Sequence, residues 1–189
     1  MLNIGIIVGS TRPNRVSEPV AVWMQERAAK MDGWNAELID LRDWPLPFFQ
    51  EAGPVMGLKG EYSVDIAKAW SKKIASMDAF IIVSPEYNHG YTAVLKNALD
   101  YLYAEWNNKA VSFVSYGGVG GARVVEQLRL VASELQMHDT REAIHIMNVW
   151  SLIEGGIFKA EEFHEKKAAG MFAQLDWWAK ALQNARETK

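Results

Sequence analysis

The chain has 189 residues, 49% apolar and 23% charged, with a net charge of −3 and no cysteine. It is long enough to bury a core as one globular domain, 1–189. The missing thiols exclude disulfides and Cys-ligated metals, and scattered basic residues leave no footprint for nucleic acid. No apolar run reaches the roughly 18 residues of a membrane span, and no secretory pattern precedes the first strand, so a cytoplasmic location is expected.

Residues 4–8 form a short, β-branched apolar run that suits a strand buried on both faces. Behind it come Gly9-Ser10-Thr11-Arg12-Pro13-Asn14-Arg15-Val16-Ser17, and an amphipathic helical pattern from Glu18 to Met31 with Gly33 past its end. A polar loop between a strand and a helix start is a site for an anion, because unpaired amides there point outward and carry partial positive charge. Ser10 and Ser17 add hydroxyls, Arg12 and Arg15 add forked cations, and Pro13 with Asn14 reads as the turn that brings both arginines to one side. Taken singly, Ser17 also reads as a helix cap and the arginines as solvated surface. The loop lacks the Gly-Lys-Ser/Thr of a nucleoside-triphosphate loop and the GxGxxG of a dinucleotide fold, so Asp40 is a weak imitation of a ribose-binding acid. What remains is a grip for one phosphate, as a mononucleotide requires.

Residues 36–41 read as the second strand. Residues 42–62 break the rhythm with three prolines and three glycines, and read as a substrate rim, a subunit contact or a loose excursion. A helix is expected from Ser63 to Met77, a third strand over 78–83, a helix over 91–103, a fourth strand over 109–115, a helix over 122–136, a last strand over 143–149 and a closing helix over 161–185. The third strand ends in Ser84-Pro85-Glu86-Tyr87-Asn88-His89-Gly90, where Tyr87 and Asn88 suit the border of a planar heterocycle. Glu86 reads as facing a partner or solvent, and His89 as a structural or rim residue. The fourth ends in Tyr116-Gly117-Gly118-Val119-Gly120-Gly121, glycines that admit a flat ligand or simply make a turn.

Five short apolar strands alternating with helices predict an α/β, flavodoxin-like three-layer fold: a five-stranded parallel sheet in the order 2-1-3-4-5 with helices on both faces. That order puts the three polar loops at one crevice, at the carboxyl ends of the strands where the order reverses. Eight tryptophans are an excess; Trp23, Trp70, Trp106, Trp150, Trp177 and Trp178 lie on or beside expected helices, where core burial is ordinary and some are expected to meet a partner subunit.

Three motifs together carry a resemblance: Gly9-Ser10-Thr11-Arg12; Ser84-Pro85-Glu86-Tyr87-Asn88 with Leu95-Lys96-Asn97-Ala98 behind it; and Ser115-Tyr116-Gly117-Gly118 with Gly120-Gly121-Ala122-Arg123. In this order, over residues 2–135, the chain resembles the NAD(P)H-dependent FMN reductases, a family that includes quinone, azo-dye and chromate reductases. The resemblance implies FMN phosphate at Ser10, Arg12, Arg15, Val16 and Ser17, and isoalloxazine contacts at Pro85, Glu86, Tyr87 and Asn88 and at Ser115, Tyr116, Gly117 and Gly118. Many relatives carry serine or glycine in place of Arg15 and asparagine in place of Ser17. It further implies NAD(P)H as electron donor, a ping-pong transfer of two electrons to flavin, quinone, azo or similar acceptors, no catalytic side chain, no metal, and a homodimer or homotetramer. A flavodoxin-type electron carrier and a non-catalytic flavin-binding module use the same fold and remain open.

Overall fold

The structure is a computed structural model that describes residues 1–58 and 60–188. Lys59, within the 42–62 excursion, and Lys189 lie outside the described residues. The strands are β1 (Leu2–Val8), β2 (Trp34–Asp40), β3 (Ala79–Pro85), β4 (Ala110–Gly117), β5 (His138–Asp139) and β6 (Ile144–Met147). They form one parallel sheet in the order β2-β1-β3-β4-β5, and β6 also pairs with β4. The helices are α1 (Ser17–Ala28), α2 (Asp65–Ala75), α3 (Ala93–Asp100), α4 (Ala122–Glu134) and α5 (Glu162–Glu187).

The alternation of side chains along each strand feeds two cores. Ile4, Ile6, Val8, Ala79, Ile81 and Val83 pack with α1 and α5 on one face. Ile7, Phe80, Ile82, Val111 and Phe113 pack with α2, α3 and α4 on the other. Every residue of β3 and β4 is buried, which is why the third strand reads as a nearly unbroken apolar run. On the second face Trp44, Trp70, Trp106 and Phe80 form a chain of tilted and edge-on rings with centroids 5.1, 6.2 and 4.9 Å apart.

Several boundaries differ from the sequence reading, each for a local reason. Ser63 does not cap α2: its amide and hydroxyl both donate to Glu51, and the helix starts at Asp65. α3 begins at Ala93 instead of Tyr91 because Thr92 is its cap, accepting from the Leu95 amide at 3.2 Å. The last sheet position is two short strands, since the chain bulges outward where the buried Thr140 hydroxyl meets Ser112 at 2.7 Å and Arg129 takes the carbonyls of Thr140 and Arg141. Beyond it lies an unforeseen hairpin, β7 (Ile153–Glu154) and β8 (Ile157–Phe158), turned by Gly155 and Gly156 at φ 57° and 80°. Trp70, Trp106 and Trp23 are buried, as core readings require, whereas Trp150 and Trp177 are exposed at 62% and 63%. Among the described residues no helix is long and apolar enough to cross a membrane.

Candidate functional site

The loops after β1, β3 and β4 meet at one edge of the sheet, tied by direct bonds. The Gly9 amide donates to the Val83 carbonyl at 2.8 Å and the Gly9 carbonyl accepts from the Thr92 hydroxyl at 2.6 Å, so the first loop is fastened to β3 and to the cap of α3. Ser10 Oγ lies 3.3 Å from Tyr87 Oη, and Ser17 Oγ 2.6 Å from Tyr116 Oη. Burial pushes the Tyr116 phenol up to about 12, against the pull of its bond with Ser17.

In the loop after β3, Tyr87 and Gly90 exchange both backbone hydrogen bonds, at 2.8 and 2.9 Å. Asn88 and His89 between them have φ of 49° and 70°, the two left-handed positions of a two-residue hairpin turn. His89 is thus a turn residue whose carbonyl accepts from Gln127. Glu86 does not stand free in solvent: its side chain is 7% exposed and takes Arg123 Nε at 2.6 Å and the Arg123 amide at 3.2 Å. This pair locks the second loop to the start of α4, behind the third loop. Gly121, at φ 73°, sits with its ideal Cβ position 2.8 Å from the Tyr116 amide, so the third loop closes only with glycine there.

Between these loops and the 42–62 excursion is a cavity of about 550 Å³ lined by Ser10, Thr11, Arg12, Tyr87, the first turn of α3 and Leu46, Pro47 and Phe48. The Arg12 guanidinium stands 5.8 Å from the Tyr87 ring centre. The excursion reaches the cavity because Asn97 holds it: its amide nitrogen donates to the Pro47 carbonyl at 2.8 Å and its oxygen accepts from the Phe49 amide at 2.9 Å. Phe48 is left 82% exposed at the lip.

The sequence-predicted residues divide by where the structure sends them. Ser10, Arg12 and Tyr87 line the cavity. Pro85, Glu86, Asn88, Gly117 and Gly118 stand on the same edge, with open space where a Cβ of Gly118 would lie. Ser17 is buried and engaged with Tyr116. Ser115 is buried, donating to the Gly120 carbonyl and meeting His145 Nδ1 at 2.9 Å, which shapes the third loop from beneath. The expectation that one turn brings both arginines to the same side does not hold. The Arg15 side chain is 2% exposed and runs the other way, bonding Asp40 through both oxygens and Glu18 at 3.1 Å; with Val16 it lines a second groove against α1 and the β7–β8 hairpin. Asp40 is held below the ordinary carboxylate range: burial acts to raise it, and bonds from Arg15 and the Arg42 amide outweigh that. Thr92, Asn97, Arg42 and Arg123 were missed as site-builders, because each acts through a contact at long range in sequence. Of the four, only Asn97 and Arg123 stand in quoted motifs, Leu95-Lys96-Asn97-Ala98 and Gly120-Gly121-Ala122-Arg123.

The donor set suits an anion. Of the amides at Ser10, Thr11, Arg12, Asn14, Arg15, Val16, Ser17 and Glu18, only that of Arg12 has an acceptor among the described residues, a long 3.5 Å contact to Ser10 Oγ. A run of unpaired amides at the start of α1, one exposed guanidinium and an adjoining apolar cavity fit a phosphate with a flat ring attached.

Residues 2–151 match the family model of the NADPH-dependent FMN reductases. An NAD(P)H-dependent FMN reductase of Schizosaccharomyces pombe is 42% identical over 178 residues, covering 90% of this chain and 88% of the relative. One of Saccharomyces cerevisiae is 32% identical over 146 residues, covering 72% and 76%. Among solved structures, the flavoenzyme NAD(P)H:(acceptor) oxidoreductase FerB of Paracoccus denitrificans superposes with a TM-score of 0.75 at 20% identity, over 95% of this chain and 98% of that one; at that identity the likeness speaks for the fold.

Proposed function

We propose that this chain, which belongs to the NADPH-dependent FMN reductase family, is an NAD(P)H-dependent oxidoreductase that carries FMN at the carboxyl edge of its sheet and reduces small flavin- or quinone-type acceptors. The observation that carries the reading is the run of unpaired amides over residues 10–18 beside Arg12, opening onto the cavity at Tyr87. These amides and Arg12 would hold the phosphate. Tyr87, Asn88 and the backbone at Pro85 and Glu86 would border the ring on one side, and Gly117 and Gly118 on the other, where no Cβ intervenes at Gly118.

FMN, when bound, would supply the two-electron redox chemistry that links the nicotinamide to the acceptor. The protein's part is placement. Glu86 is paired with Arg123 and so is not offered to the reactants as an acid or base. Nicotinamide and acceptor that share this one cavity would enter in turn, the nicotinamide leaving before the acceptor arrives. Exposed Trp150 and Trp177 suit a homodimer or homotetramer.

The test is to titrate the purified protein with FMN, reduce it anaerobically with NADH and with NADPH, and add a quinone. Bleaching by the nicotinamide, recovery with the quinone and parallel initial-rate lines support the reading. A protein that takes up no FMN refutes it, as does one that binds FMN but is reduced by neither nicotinamide, the behaviour of an electron carrier or a non-catalytic flavin-binding module.

A further inference from the structure

The amides of the first loop are free because its carbonyls are occupied elsewhere. The Ser10 carbonyl accepts from Arg15 Nη1 at 2.8 Å, the Thr11 carbonyl from Arg42 Nε at 3.4 Å, and the Arg12 carbonyl from Arg42 Nη2. Three successive peptide oxygens are thus drawn to one flank by two guanidinium groups. A peptide is planar, and its N–H points opposite to its C=O. Holding the Ser10 and Thr11 oxygens therefore aims the Thr11 and Arg12 amides the other way, and holding the Arg12 oxygen keeps a partial negative charge away from an incoming anion.

The two guanidinium groups are themselves fixed from the end of β2 and the start of α1. Asp40, the last residue of β2, binds Arg15 through both oxygens and also accepts from the Arg42 amide at 2.9 Å. Glu18 takes Arg15 at 3.1 Å and faces Arg42 at 3.7 Å. Two cations and two anions make this group electrically balanced, so it offers an anion little net attraction at a distance. Its influence runs through the backbone it holds.

We propose that Arg42 and Arg15, locked by Asp40, are positioning residues for phosphate recognition: without touching the anion, they hold the first loop in the form that presents its amides. The inference rests on reading that loop as the phosphate end of an FMN site, and its test keeps the two apart by comparing FMN with riboflavin, the same ring without the phosphate.

Both flavins are titrated into the wild-type protein and into Arg42→Ala, Arg42→Lys and Asp40→Asn, following flavin fluorescence. Arg42 is partly exposed, at 39% for its side chain, so its variants keep the fold. Because the result is a ratio measured on one preparation, loss of folded protein lowers both signals alike. Arg42→Ala is expected to weaken FMN about tenfold, as for two lost charge-assisted hydrogen bonds that act on the anion only through the loop they hold, while riboflavin changes less than about twofold. Arg42→Lys, with a single point of donation, falls between, and Asp40→Asn shifts the ratio in the same direction. Unchanged FMN affinity in Arg42→Ala, or equal weakening of both flavins, overturns the proposal. A wild-type protein that binds riboflavin as tightly as FMN instead overturns the phosphate reading on which it rests.

Discussion

Gly9 is the point at which the candidate site is fastened to the sheet, and Gly9→Ala tests that fastening. The ideal Cβ position lies 2.8 Å from the Val83 carbonyl oxygen and 3.3 Å from Leu95 Cδ2. Ordinary carbon–oxygen contacts sit near 3.3–3.6 Å, so the loop and β3 must part by about half an ångström. β3 is buried along its whole length and cannot yield. The loop moves instead, stretching the Gly9–Val83 bond of 2.8 Å and the Thr92–Gly9 bond of 2.6 Å. Overpacking costs about 1–3 kcal/mol and each weakened hydrogen bond about 1 kcal/mol at most, which together give a loss of about 3 kcal/mol. In urea, with a slope near 2–3 kcal/mol/M, the unfolding midpoint falls by about 1–1.5 M, read from tryptophan fluorescence. Thr92→Val removes the same bond from its other end, together with the cap of α3, at about 1–2 kcal/mol. The double variant should therefore be less damaged than the sum of the singles by about 1 kcal/mol. A Gly9→Ala midpoint within about 0.2 M of wild type, or strictly additive losses, would refute the claim that this contact holds the loop.

Arg12→Ala is expected to weaken FMN by about 1.5–3 kcal/mol, the worth of a hydrogen bond to a charged group, with an unchanged urea midpoint because Arg12 is exposed; equal affinity in a flavin titration would remove Arg12 from the site. Phe48→Ala should raise KM for planar quinones up to about tenfold, the range of one lost aromatic contact, with FMN affinity intact; an unaltered KM would mean the exposed ring is not a wall for the acceptor. Burial lowers the pKa of His138, His145 and His164. The unfolded chain then binds more protons than the fold just below about pH 6.5, so stability is full above that value and is lost on acidification. At the alkaline end the sign reverses: unfolded phenols ionise near 10, whereas Tyr116 in the fold holds its proton to about 12, so stability falls as pH rises between those values. Urea midpoints at a series of pH values check both limbs, and a flat profile from pH 5 to 11 would contradict them.

How much of the site was legible follows the range of each interaction. The order of strands and the meeting of three polar loops came from period and spacing, since a buried parallel strand must be apolar throughout and a ligand loop must interrupt it. Ser10, Arg12 and Tyr87 were found because each stands in a motif next to a strand end. Arg15 was legible only as a cation. Its partner Asp40 closes a separation of 25 residues, and no local signal distinguishes an arginine that meets a ligand from one that meets a carboxylate on the next strand. The same applies to Glu86, whose partner Arg123 lies 37 residues on. Ser63 has the composition of a helix cap, and only the fold brings Glu51 to it.

Periodicity in the sequence was enough to set the layered sheet, the edge at which the three polar loops meet and the residue types available there, because hydrophobic patterning and turn chemistry act over a few neighbouring residues. The tertiary structure alone decided which of those polar groups face the cavity and which are consumed in holding its walls. Arg12 and Arg15 are three positions apart on one loop, and what separates their tasks is the carboxylate at the end of β2, a neighbour in space that the intervening helix delivers.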